Sequence, residues 1–219
     1  NSTGKVVYLP AEDPAEVIRY RLHQLGKLLP SHAQFAVAEN LSITSLLGHI
    51  PDLCNESWLN ALTRAAENKR LMIIDTLRRF HQEEENDNGR MTFVIQRIEQ
   101  IPQKTGCTVL FLHHTSKFGS QSGDQTASRG ASAITDNCRW QGNLVLMSKK
   151  EAQKRGVDDK YRCDFVQFVT TKYNYGKPFA RWLRRVEGGM LIDANVPVLS
   201  LQDPQKKSKK RGSSHDESW

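Results

Sequence analysis

The sequence contains no G-x-x-x-x-G-K-(S/T), the pattern in which backbone N–H groups between a strand and a helix cradle phosphates while a hydroxyl holds Mg²⁺. The nearest string, Gly4-Lys5, has no upstream glycine partner and leads into Val6-Val7-Tyr8-Leu9, a run that predicts a strand rather than a helix. Long apolar runs are missing too. No stretch approaches the roughly 18 apolar residues of a membrane-spanning helix, and no charged-then-apolar leader precedes a cleavage site, so a cytoplasmic protein with no membrane partner is expected. Cysteine is scarce: Cys54, Cys107, Cys138 and Cys163 are widely spaced with no C-x-x-C, which argues for buried free thiols over disulfides or zinc. The first residue is Asn1, not Met. A chain that starts just downstream of its own P-loop accounts for both that and the missing motif.

What is present suits one ordinary core: 219 residues, 38% hydrophobic and 25% charged. Residues 1–200 are expected to form one domain and residues 201–219 a basic tail. The net charge of +7 favours polyanionic partners. Part of it comes from Lys206, Lys207, Lys209, Lys210 and Arg211 in a tail with almost no apolar content, either a solvated terminus or a nonspecific phosphate contact.

Apolar periodicity sets the expected elements. Val6 to Leu9 reads as a strand closed by Pro10. Asp13 as N-cap and Pro14 in the first turn then open a helix with Val17, Ile18, Leu22, Leu25, Leu28 and Leu29 at three- and four-residue spacing. Leu41 to Leu47 predicts a second strand, and Trp58, Leu59, Leu62 and Ala66 a helix begun near Asn55. Leu71-Met72-Ile73-Ile74 is a continuous apolar run, the pattern of a strand buried on both faces, and it ends in Asp75. A helix built on Met91, Val94, Ile95, Ile98 and Ile101 follows, then a strand from Thr108 to Leu112 that ends in His113-His114. Strands alternating with amphipathic helices predict an α/β fold, a mostly parallel sheet flanked by helices. Short strands at Asn143 to Met147, Phe165 to Thr171, Arg181 to Val186 and Met190 to Ile192, joined by Asn174-Tyr175-Gly176 and Glu187-Gly188-Gly189, predict C-terminal antiparallel hairpins.

In a parallel sheet ligands bind at the carboxyl ends of the strands. Glu12-Asp13, Asp75 and His113-His114 stand at three such ends and are expected on one rim. An apolar strand ending in aspartate is the Walker B pattern for Mg²⁺, although Asp also caps helices. A neighbouring glutamate suits the orientation and deprotonation of water, and a histidine suits a hydrogen bond to a γ-phosphate. Adjacent residues of a strand point to opposite faces, so His113 and His114 are not expected to ligate one metal together. The glycine- and serine-rich stretch from Phe118 to Gly130 predicts a long loop, either a functional one or a disordered one.

Several strings carry a family resemblance. Tyr8-Leu9-Pro10-Ala11-Glu12-Asp13-Pro14, Leu71 to His81 with Glu83-Glu84-Glu85-Asn86, Phe111-Leu112-His113-His114, Ala127-Ser128-Arg129-Gly130, Asp136 to Gln141 and Asn174-Tyr175-Gly176 resemble the RepA-type hexameric replicative DNA helicase of broad-host-range plasmids, in order from about residue 4 to residue 192. The resemblance implies a RecA-like core that assembles as a homo-oligomeric, hexameric ring, hydrolyses ATP or another NTP with Mg²⁺, moves on single-stranded DNA, and works with a plasmid replication initiator and a primase. It places the catalytic glutamate at Glu12, the Walker B aspartate and Mg²⁺ ligand at Asp75, the sensor at His114 and an arginine finger at Arg139, for which a surface salt bridge beside Trp140 is the alternative. Asp13, Asp75, His113 and His114 would line the nucleotide. Lys117 and Arg129 in the loop from Ser116 to Gly130, and Lys172 near a hairpin, would meet DNA phosphates; a merely disordered surface loop is the other reading of the first two, and ordinary hairpin packing that of Lys172, Tyr173 and Tyr175. The departure from the family pattern is the absent first strand, P-loop and P-loop helix. Without them these 219 residues are expected to be an inactive part of a motor, or a non-catalytic DNA-binding or assembly module with the same core.

Overall fold

The computed structural model of the chain describes residues 4–114 and 132–197. Two four-stranded sheets organise them. In the first, β1 (Val6–Pro10) pairs in parallel with β2 (Leu41–Ile43) on one side and β3 (Leu71–Asp75) on the other, and β4 (Thr108–Phe111) adds in parallel to β3. The second sheet is antiparallel, with β5 (Trp140–Leu146), β6 (Phe165–Tyr173), β7 (Ala180–Arg185) and β8 (Leu191–Asp193) in sequence order. An α/β fold with a parallel sheet and C-terminal hairpins is thus what the apolar periodicity led one to expect.

The main core lies on one face of the parallel sheet. Register sets Val7 beside Met72 and Leu9 beside Ile74, and all four are buried against two helices, α3 (Glu56–Ala66) and α4 (Asn88–Thr105). Leu59, Leu62 and Ala66 supply the apolar stripe of α3, and Met91, Val94, Ile95, Ile98 and Ile101 that of α4. Asn55 caps α3 by accepting from the Ser57 and Trp58 N–H groups, and Gly106, at φ 71°, ends α4 in the left-handed conformation that a glycine adopts without strain. The continuous apolar run of β3 is therefore not buried equally on both sides: Met72 and Ile74 are buried, whereas Leu71 and Ile73 are only partly covered. The α3–α4 layer closes one face, while α1 (Ala15–Lys27) buries little more than Ile18 and Gln24. Gln24 lies against the turn at Gly188, whose φ of 75° and close approach (a Cβ there would meet Gln24 Cγ at 2.9 Å) both call for glycine.

Three local expectations are corrected. Pro14, not Asp13, occupies the N-cap of α1, no side chain caps it, and the Asp13 carboxylate instead pairs with Arg21. The predicted helix stops at Lys27 and the chain, after Pro30, starts a second helix, α2 (Ser31–Asn40), which buries none of its residues and so shows no amphipathic period. The strand expected over Leu41 to Leu47 narrows to Leu41–Ile43, although Thr44 and Leu46 still donate backbone hydrogen bonds to Tyr8 and Pro10. The helices α5 (Ser132–Asn137) and α6 (Lys149–Arg155) also went unforeseen; both are short, and α6 is almost entirely polar.

Candidate functional site

Backbone hydrogen bonds lock three strand ends side by side. The Ala11 N–H donates to the Asp75 carbonyl, the Leu112 N–H to that of Ile74, and the Leu77 N–H to that of Leu112, at 2.7, 2.9 and 2.8 Å. This brings Glu12, Asp75 and His114 of the predicted groups onto one rim, in the register expected of parallel strands.

Glu12 is the hub. Its Oε1 accepts from Thr76 Oγ1 at 3.0 Å and from Arg79 Nε at 3.3 Å, while Oε2 lies 3.6 Å from His114 Nε2. Burial alone would raise its pKa, but the hydrogen bonds from Thr76, Arg79 and His114 outweigh that and hold the carboxyl below the usual range. It is therefore an ionised acceptor at neutral pH. Thr76 and Arg79 were missed by the sequence reading. Thr76 follows Asp75 at the N-cap of a 3₁₀ turn (Leu77–Phe80) that carries Arg79, and burial of Leu77 and Phe80 turns Arg79 back toward Glu12. The only signal was the basic pair Arg78-Arg79 flanked by the apolar Leu77 and Phe80.

Asp75 closes β3, and its Oδ2 accepts from the Tyr8 hydroxyl at 2.5 Å. Burial, followed by the hydrogen bond to Asp75, pushes the Tyr8 phenol far above its ordinary value, so it stays a donor. Among the described residues no side chain donates to Asp75 Oδ1. Mg²⁺ keeps most of its waters and takes one or two carboxylates, so a lone carboxylate with one free oxygen fits it. No three His, Cys, Asp or Glu side chains among the described residues converge as a metal cage.

The two histidines part company as strand geometry requires. The His114 side chain is 76% exposed and faces Glu12; that of His113 is 17% exposed and turns in, with Nδ1 4.0 Å from Glu85 Oε1. Burial pulls the His113 imidazole below its ordinary pKa. His81, fully buried nearby, shifts down for the same reason.

The remaining candidates lie elsewhere. Asp13 is engaged with Arg21. Arg139 is exposed just before β5, its carbonyl accepts from the Asn174 N–H, and none of the contacts around Glu12 or Asp75 involves it. Lys172 Nζ donates to the Thr135 and Asp136 carbonyls at 2.9 and 2.7 Å, which sets its charge at the C-terminal end of α5. Lys117, Arg129 and the basic tail lie outside the described residues.

The AAA domain family matches residues 1–120, more than half of the chain and the whole of the rim just described. The chain belongs to that family. Two solved structures share the fold of this AAA domain protein at 14% sequence identity. One is described as an ATPase domain, with a TM-score of 0.59 over 88% of this chain and 75% of that one. The other is a DnaB-like replicative helicase studied with its interactions with primase, with a TM-score of 0.62 over 88% of this chain and 51% of that one. The present chain thus spans about half the length of the second. All three share one fold, in which the present chain sets a parallel four-stranded sheet with its helices beside an antiparallel one.

Proposed function

We propose that this AAA domain protein is the larger part of the motor of a ring-forming replicative DNA helicase, of the RepA type found in plasmid replication systems. The observation that carries the reading is the convergence of Glu12, Asp75 and His114 on three adjacent strand ends, with Glu12 held by Thr76, Arg79 and His114. Glu12, ionised and oriented, takes the proton from a water attacking the γ-phosphate of ATP or another NTP. His114, on the solvent side of Glu12, offers its imidazole to that phosphate and changes its contact with Glu12 when it does so. Asp75 Oδ1 would hold Mg²⁺, which when bound neutralises charge on the phosphate oxygens. Asp13, paired with Arg21, and His113, beside Glu85, would line the nucleotide next to this rim.

The rest of the reading concerns assembly. Arg139, exposed and outside the rim's contacts, is suited to a neighbouring subunit's site in a hexamer, where a guanidinium stabilises transition-state charge only when the ring is formed. Lys117, Arg129 and Lys172 would contact single-stranded DNA, and a plasmid initiator and a primase would be partners. The 219 residues hold no G-x-x-x-x-G-K-(S/T), and on this reading the phosphate cradle for the site would lie in a segment outside them. Two measurements test this. The codons ahead of Asn1 are expected to encode that motif in frame, and the full gene product is expected to show DNA-stimulated ATPase that Glu12→Gln abolishes. A start codon at or just before Asn1, or DNA binding without turnover, supports instead a non-catalytic DNA-binding or assembly module.

A further inference from the structure

Sheet register explains how Tyr8 reaches Asp75. Pro10 stands directly opposite Asp75 and Tyr8 opposite Ile73, so Tyr8 is the diagonal neighbour of Asp75 on the same face. Diagonal positions lie about 7–8 Å apart, within reach of an aromatic side chain. Pro10 has no side-chain donor, and Met72 and Ile74 point into the core on the other face. Among the described residues the Tyr8 hydroxyl is thus the one side-chain group that holds Asp75, on Oδ2 at 2.5 Å.

Resting on the assignment of Asp75 as the Mg²⁺ ligand, we propose that Tyr8 is a positioning residue: by occupying Oδ2 it fixes the carboxylate and presents Oδ1 alone to the metal. Without that hydroxyl the carboxylate would be free to turn and would no longer be held in one orientation toward the ion. Removal of such an outer hydrogen bond weakens metal binding by about 10–100-fold in other sites.

The test is Mn²⁺ binding, counted by electron paramagnetic resonance on the full gene product with a non-hydrolysable ATP analogue. Tyr8→Phe is expected to raise the Mn²⁺ Kd by about tenfold. The metal-free affinity for the analogue stays the same, and the Mg²⁺ concentration for half-maximal hydrolysis rises in parallel while kcat at saturating Mg²⁺ does not fall to the same extent. Tyr8→Gln, which keeps a donor, recovers part of the loss. In an Asp75→Asn background Tyr8→Phe adds no further weakening. Melting followed by far-UV circular dichroism checks that each variant is folded. The inference is overturned if Tyr8→Phe binds Mn²⁺ as the wild type does, or if it weakens binding equally with Asn at position 75. Failure of the wild type to bind Mn²⁺ with the analogue overturns the assignment of Asp75, and this inference with it.

Discussion

The turn that carries Arg79 hangs on Phe80, and Phe80→Ala tests how firmly. Phe80 is 0% exposed, sits in the cluster with Leu53, Leu77 and Met91, and its carbonyl accepts from the Leu53 N–H at 2.8 Å. A buried phenylalanine removes about 200 Å² from water, which at about 25 cal/mol per Å² is about 5 kcal/mol as an upper bound. Measured Phe→Ala changes in cores run at about 3–5 kcal/mol, and the cavity here is lined by α4 and the 51–55 segment, which are fixed from other directions. About 4 kcal/mol is expected, a large fraction of the roughly 5–15 kcal/mol of a whole domain. Urea unfolding followed by far-UV circular dichroism reads it directly. With a slope of about 2 kcal/mol/M, the midpoint falls by about 2 M. Phe80→Leu, which keeps most of the volume, is expected to shift it by less than half as much. A Phe80→Ala midpoint within about 0.5 M of wild type would show that the turn is held by its backbone bonds and not by its apolar anchor, and would refute the reasoning.

Other perturbations follow from particular contacts. The folded pKa of His81 lies below its unfolded value near 6.5, chiefly through burial and then Arg78; the unfolded chain therefore binds the proton first, so stability is full above about pH 6.5 and declines as pH falls below it. Urea midpoints from pH 8 to pH 5 are expected to show that slope, and His81→Asn to reduce it. Exposed Cys163 is expected to react first with a thiol reagent, and fully buried Cys107, whose thiol burial also pushes up, only upon unfolding; stoichiometry against time checks the order. Asn55→Ala leaves the Ser57 and Trp58 N–H groups of α3 uncapped and is expected to cost about 1 kcal/mol in the same urea assay.

Where long apolar periods met strong punctuation, the sequence could be read. Met91, Val94, Ile95, Ile98 and Ile101 recur at helical spacing and do form the inner stripe of α4. Asp75 and His113-His114 could be placed because parallel strands in register share an end. The companions of Glu12 could not. Thr76 and Arg79 are separated from it by 64 and 67 residues, and only the turn fixed by Phe80 brings them back. Arg97 shows the same limit: it is a charged residue beside the apolar stripe of α4, yet it is buried, with Nε on the Leu53 carbonyl at 3.1 Å and Nη2 on Glu56 at 2.6 Å. Nor does a helix like α2, with no buried residue, leave any period to detect.

The two sheets differ in what each must wait for during folding. In the antiparallel sheet Val169 pairs with Ala180 across a hairpin, so its ladder closes over about ten intervening residues of chain. In the parallel sheet Val6 pairs with Leu71, and Leu71 in turn with Thr108. Loop-closure entropy must be overcome before such distant pairs gain anything, which makes the parallel sheet the slow step. Since Glu12, Asp75 and His114 stand on the ends of those distant strands, the rim is assembled only when the slow sheet is complete, and amide exchange during refolding is expected to protect β6 and β7 before β1 and β3.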